Sequence, residues 1–178
     1  MTHTTQLEAL YSFEKDRKDE VWLTQPMPDG TVKDMTFGQA MGEARQMAAH
    51  LESLGLPAGS TIALFSKNTA WWLIADIAIW MAGHTSVPLY PTLTPETIGQ
   101  IIGHSEAKLI FVGKLDGFDA MAPGIPAGLP RITLPLAPKM DAPTWDEILA
   151  KTEPMTKSPV RAASELATII YTSGSTGV

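Results

Sequence analysis

The side chains best suited to chemistry in this 178-residue sequence stand together near its end: Thr172, Ser173, Gly174, Ser175, Thr176 and Gly177. Hydroxyls and backbone N–H groups can donate to an anion. Glycine lets the backbone turn through positive φ and come close to a ligand. Successive N–H groups curved about one point form an anion-binding nest. The chemistry this stretch suits is the holding of phosphates. Clusters of the same composition also form plain loops, and residue types alone leave both readings open. A Walker-type loop is excluded on spacing. It requires G-x-x-x-x-G-K-[ST], and no lysine follows Gly177.

Other chemistries have little to stand on. There is no cysteine, hence no disulfide, thiolate metal site or thiol nucleophile. The histidines, His3, His50, His84 and His104, are never three or four residues apart, so no metal spacing appears and each reads as a surface or packing residue. No catalytic residue is assigned. Thirteen basic against nineteen acidic side chains give a net charge of −6, which argues against non-specific nucleic-acid binding. With 44% hydrophobic and 18% charged residues, disorder is not expected. The first ten residues carry no signal-peptide core, and a cytoplasmic location is the expectation.

Several elements must position the hydroxyl stretch. The run Ala167-Thr168-Ile169-Ile170-Tyr171 is apolar and β-branched, which predicts a buried strand through Ile169 and Ile170. Upstream, residues 60–66 predict a strand with the unbroken apolar centre Ile62-Ala63-Leu64-Phe65, as in a parallel sheet buried on both faces. Asn68 is the expected cap of the next helix, which runs to about Ala82 and ends at Gly83. That helix is apolar nearly all round, yet it is shorter than the ~20 residues of a membrane span and is interrupted by Asp76. It reads as a buried core helix. Residues 85–89 and 108–112 predict strands, and Thr94 with Pro95 opens the helix between them. Strands joined through helices are parallel with right-handed crossovers, so residues 60–112 form a β-α-β-α-β unit.

Before this unit, residues 5–18 predict a short helix whose mixed charges from Glu14 to Glu20 form a solvated face. Residues 21–24 and 31–35 predict a hairpin about Pro28-Asp29-Gly30. Thr36 and Gln39 form a capping-box pattern at the start of a helix that stops at Gly55. After Gly113, crowded prolines and glycines predict a surface traverse, interrupted by a strand at 131–134. Thr144 and Glu147 repeat the capping box, and 151–164 is a polar connector. The expected fold class is α/β, a mostly parallel doubly wound sheet with helices on both faces.

Tyr171-Thr172-Ser173-Gly174-Ser175-Thr176-Gly177 resembles the phosphate loop of the adenylate-forming (AMP-binding) enzymes, whose pattern is Y-T-S-G-[ST]-T-G-x-P-K-G. That superfamily includes acyl-CoA synthetases, luciferases and peptide-synthetase adenylation domains. The resemblance extends over residues 35–178 through Thr36-Phe37-Gly38-Gln39-Ala40, Gly59-Ser60-Thr61-Ile62-Ala63 and Glu106-Ala107-Lys108-Leu109-Ile110-Phe111. Val87-Pro88-Leu89-Tyr90-Pro91-Thr92-Leu93 is most similar to the fatty-acid branch. The resemblance implies that 1–178 is the N-terminal part of an adenylation domain, cut within the phosphate loop and inactive by itself. It implies a two-step ligase of fatty acid metabolism. A carboxylate attacks the α-phosphorus of ATP, and the acyl group of the resulting adenylate passes to coenzyme A. Thr172, Ser173, Gly174, Ser175, Thr176 and Gly177 would contact phosphates, and Thr172 would also help hold Mg²⁺. Peripheral membrane contact and self-association stay open. The alternatives are adenylation of another carboxylic acid, transfer to a carrier protein, or a non-catalytic α/β scaffold.

Overall fold

Four strands pair in one parallel sheet in the computed structural model, which describes residues 5–172. They are β3 (Thr61–Phe65), β4 (Thr85–Leu89), β5 (Leu109–Val112) and β6 (Arg131–Thr133), in the order β4-β3-β5-β6. Every pairing is parallel, with Ala63 opposite Val87 on one side and Ile110 on the other. Alternate residues face opposite layers. Ile62, Leu64, Leu109 and Phe111 enter one core, whereas Ala63, Phe65, Val87, Leu89, Ile110 and Val112 enter the other. Burial on both faces is why these strands carry no polar alternation.

The first core is roofed by α2 (Phe37–Ser53), α3 (Ala70–Met81) and α6 (Trp145–Leu149). The second is roofed by α4 (Pro95–Ser105) and α5 (Phe118–Met121). The connection through α3 runs outward from β3 to β4, and that through α4 runs back past β3 to β5. Right-handed crossovers in opposite directions must lie on opposite faces, which places α3 and α4 in different layers. The N-terminal helix α1 (Gln6–Asp16) packs on α2 and α3. It is followed by a separate antiparallel ribbon, β1 (Val21–Pro26) and β2 (Val32–Thr36).

Local signals account for most boundaries. Thr36 with Gln39 and Thr144 with Glu147 close their capping boxes, as does Thr5 with Glu8. Gly55 and Gly83 follow their helices at φ 64° and 78°. The cap of α3 is not Asn68: the Thr69 hydroxyl accepts from Trp72 N at 3.1 Å. Glu14 leaves the solvated face expected of it and pairs with Arg45 of α2 at 2.6 Å. The traverse after Gly113 is also less superficial than its prolines suggest, since Leu115, Phe118, Met121 and Ile125 are buried in the second core. Among the described residues no helix is long and apolar enough to cross a membrane.

Candidate functional site: the entry to the hydroxyl loop

The terminal segment lies along the outer side of β4. Ser86 N donates to Ala167 O at 2.9 Å, and Ile169 N donates to Ser86 O at 2.9 Å. Two side chains hold the same backbone: Thr85 Oγ1 donates to Leu166 O and Trp80 Nε1 to Ala167 O, each at 3.0 Å. The expected strand through Ile169 and Ile170 is not formed. Pairing is reduced to one parallel bridge, Ser86 with Thr168. The reason lies in β4. The next ladder donor on this side would be residue 88, and Pro88 has no N–H to give. Ile170, beyond the last bond, is 63% exposed.

The direction of the segment nonetheless matters more than its length. Running parallel to β4, it brings Tyr171 and Thr172 past the carboxyl end of the sheet, where ligands of open parallel sheets bind. Tyr171 is tied down from the other layer. Its hydroxyl is 2.6 Å from His104 Nδ1 on α4, and the two rings meet edge-on at 5.7 Å. Burial raises the Tyr171 phenol above its ordinary pKa, so it stays protonated and able to donate. Tyr171 and Thr172 line a cleft of about 450 Å³ together with Thr92, Leu93, Thr97 and Ile101. The exposed hydroxyls of this wall are the chemistry that phosphate oxygens accept. Ser173, Gly174, Ser175, Thr176 and Gly177 lie outside the described residues, so Thr172 is the one candidate contact placed at the cleft. His104 was not singled out by its spacing; no sequence signal pairs it with a tyrosine 67 positions away.

Residues 12–178 match the AMP-binding enzyme family. The chain belongs to that family. Among curated relatives, the long-chain-fatty-acid–CoA ligase FadD15 of Mycobacterium bovis is 30% identical over 182 residues, covering 98% of this chain and 30% of its own length. The peroxisomal long chain acyl-CoA synthetase 6 of Arabidopsis thaliana is 36% identical over 100 residues, 54% of this chain and 14% of the relative. The crystal structure of the anthranilate CoA ligase AuaEII with anthranoyl-AMP superposes with a TM-score of 0.80 at 20% identity, over 96% of this chain and 32% of that one. At that identity the likeness is one of fold. The chain spans less than a third of the length of FadD15.

One buried carboxyl of this AMP-binding chain keeps an oxygen without a donor among the described residues. Asp76, on α3, is 5% exposed, and its Oδ1 meets no donor among the described residues. Burial pushes its carboxyl from the ordinary 3.8 up to about 6. The nearby Ser86 hydroxyl pulls it partly back, yet Ser86 Oγ makes no well-formed hydrogen bond. The folded state therefore holds this proton more tightly than the unfolded chain. The cost is absent below pH 3.8, grows between 3.8 and about 6, and is complete above. Asp76→Asn is expected to stabilise the chain by about 1–2 kcal/mol near pH 8 and hardly at all near pH 3.5. Urea unfolding at the two pH values checks this. A loss at the higher pH, or an equal gain at both, would contradict it.

Proposed function

We propose that this chain is the N-terminal portion of an ATP-dependent acid–CoA ligase. That enzyme activates a long-chain fatty acid as its adenylate and passes the acyl group to coenzyme A. The observation that carries the reading is the delivery of Tyr171 and Thr172, the first two residues of the hydroxyl-glycine stretch, to the carboxyl edge of a parallel sheet. In this reading the hydroxyls and N–H groups of Thr172, Ser173, Gly174, Ser175, Thr176 and Gly177 hold the β- and γ-phosphates of ATP. They stabilise charge as it moves onto the departing pyrophosphate. Bound Mg²⁺ supplies further charge neutralisation at the phosphates, and the Thr172 hydroxyl is the oxygen ligand this chain offers it. His104, through Tyr171, holds the start of the loop against α4.

The fatty-acid assignment draws on two supports. One is the Val87-Pro88-Leu89-Tyr90-Pro91-Thr92-Leu93 stretch. The other is the similarity to FadD15, a long-chain-fatty-acid–CoA ligase. A cytoplasmic location goes with it.

Exchange of labelled pyrophosphate into ATP, measured on the longer polypeptide that carries this chain, tests the assignment. Oleate, octanoate and anthranilate are offered in turn, followed by coenzyme A or a carrier protein as acceptor. Oleate-dependent exchange is the expected result, and no exchange with any acid removes the reading. The 178-residue chain alone is expected to form no oleoyl-adenylate. Detection of that product would show that the loop as it stands suffices.

A further inference from the structure

We propose that Arg161 is a positioning residue: it pins the register of the terminal segment on β4 and so places Tyr171 and Thr172 at the hydroxyl-lined cleft. The inference rests on the phosphate-loop reading given above and names what holds that loop in place. Main-chain pairing is too short to do so. Two bonds, Ser86 N to Ala167 O and Ile169 N to Ser86 O, flank a single bridge, and Pro88 ends the ladder. Strand side chains alternate with a period of two, so a slip of two residues returns the same faces to the same sides. It would carry Thr172 roughly 6–7 Å along the strand axis, far beyond the reach of a hydrogen bond.

Most bonds to the segment would survive such a slip, because they use main-chain groups that recur at every residue. Thr85 Oγ1 donates to Leu166 O and Trp80 Nε1 to Ala167 O, and the carbonyls two residues away could replace either acceptor. Polar contacts made by the segment's own side chains do tell one register from another. Among the described residues of 161–171 two such contacts reach other elements. At the downstream end Tyr171 meets His104, and at the upstream end Arg161 Nη1 donates to His84 O, just before β4, at 2.6 Å. The Arg161 head is oriented from its own side of the contact. Its Nε donates to Glu165 Oε2, Glu165 Oε1 accepts from Ala162 N, and Glu165 N donates to Ala162 O, each at 2.9 Å. These bonds close residues 161–165 into a turn, which fixes the offset between Arg161 and the paired Ala167. A planar guanidinium holds both partners at once in set directions, and the Arg161 side chain is only 15% exposed.

The test compares Arg161→Met with Trp80→Phe in the 178-residue chain. Arg161→Met keeps the length of the side chain and loses its donors. Trp80→Phe also loses a donor to the segment, but one that any register can use. Nuclear magnetic resonance reads two signals: the ring-to-ring contact of Tyr171 with His104, and solvent exchange of the Ile169 amide against the amides of β3. In Arg161→Met the ring contact is expected to fall at least fivefold and Ile169 to exchange at least tenfold faster, with β3 unchanged. Trp80→Phe is expected to keep the ring contact. In the longer enzyme Arg161→Met should lower oleate-dependent pyrophosphate exchange about tenfold, with the KM for oleate near that of the parent. An unchanged ring contact in Arg161→Met, equal loss in both variants, or β3 amides that quicken as much as Ile169 each overturns the proposal. So does full exchange activity in a variant that has lost the ring contact. If the parent exchanges with no acid, the function proposed above fails, and the ring and amide signals still decide the register.

Discussion

Replacing Trp145 with alanine is expected to destabilise the fold by about 3–5 kcal/mol, the cost typical of removing a large buried aromatic side chain. Trp145 is 1% exposed and lies against Phe111 of β5, with ring centroids 6.2 Å apart. Its removal would leave a void where α6 meets the sheet, and a polar loss adds to this. Trp145 Nε1 donates to Glu43 Oε2 at 2.9 Å, and Trp71 Nε1 donates to the same oxygen at 3.2 Å. One carboxylate on α2 thereby joins α3 and α6. Burial already raises the Glu43 pKa, and the Trp145 hydrogen bond is the largest influence holding it down. Losing that donor would raise it further, so the variant should lose more stability at about pH 8 than at about pH 5. Trp145→Phe keeps most of the packing and forfeits the hydrogen bond, and should cost less than the alanine variant. Urea unfolding followed by circular dichroism measures all three proteins. A cost below about 1 kcal/mol for the alanine variant would mean that the site collapses without penalty.

Thr172→Val in the longer enzyme is expected to slow oleate-dependent pyrophosphate exchange by about a hundredfold, the effect typical of removing one donor from developing negative charge. Valine keeps the shape of threonine and removes the hydroxyl. The exchange rate at saturating oleate should therefore fall while the KM for oleate stays near that of the parent, because the proposed role of the hydroxyl is towards the phosphates and not the acid. Thr172→Ser restores the hydroxyl and should recover most of the rate. If valine and serine behave alike, the hydroxyl has no part in phosphate handling, and Thr172 is only a wall of the cleft it lines.

Much of this was legible from local residue patterns. The parallel unit from β3 to β5 follows from apolar runs separated by a capped helix on either side, and each signal lies within a few residues of what it controls. The failures have physical causes too. The β-branched residues Ile169 and Ile170 predict a strand, but a ladder needs donors from its neighbour, and Pro88 offers none. The crowded prolines and glycines after Gly113 predict a surface traverse, yet Leu115, Phe118, Met121 and Ile125 cover the face of the sheet beside α4. Asn68 and Thr69 are both good caps, and it is Thr69 whose backbone is extended, at φ −139° and ψ 167°, and whose hydroxyl takes the Trp72 N–H.

What the amino-acid order determined by itself is the alternation of strands and helices, their parallel sense, and the hydroxyl-glycine stretch that marks the AMP-binding family. These depend on neighbours in the chain, where periodicity and caps act. Only the tertiary structure decided that His104 would hold Tyr171, that Glu43 would serve two tryptophans, and that Asp76 would be buried with one oxygen lacking a donor among the described residues. Those outcomes rest on groups brought together from distant positions, and hydrogen-bond satisfaction at such meeting points follows from packing geometry rather than from local sequence.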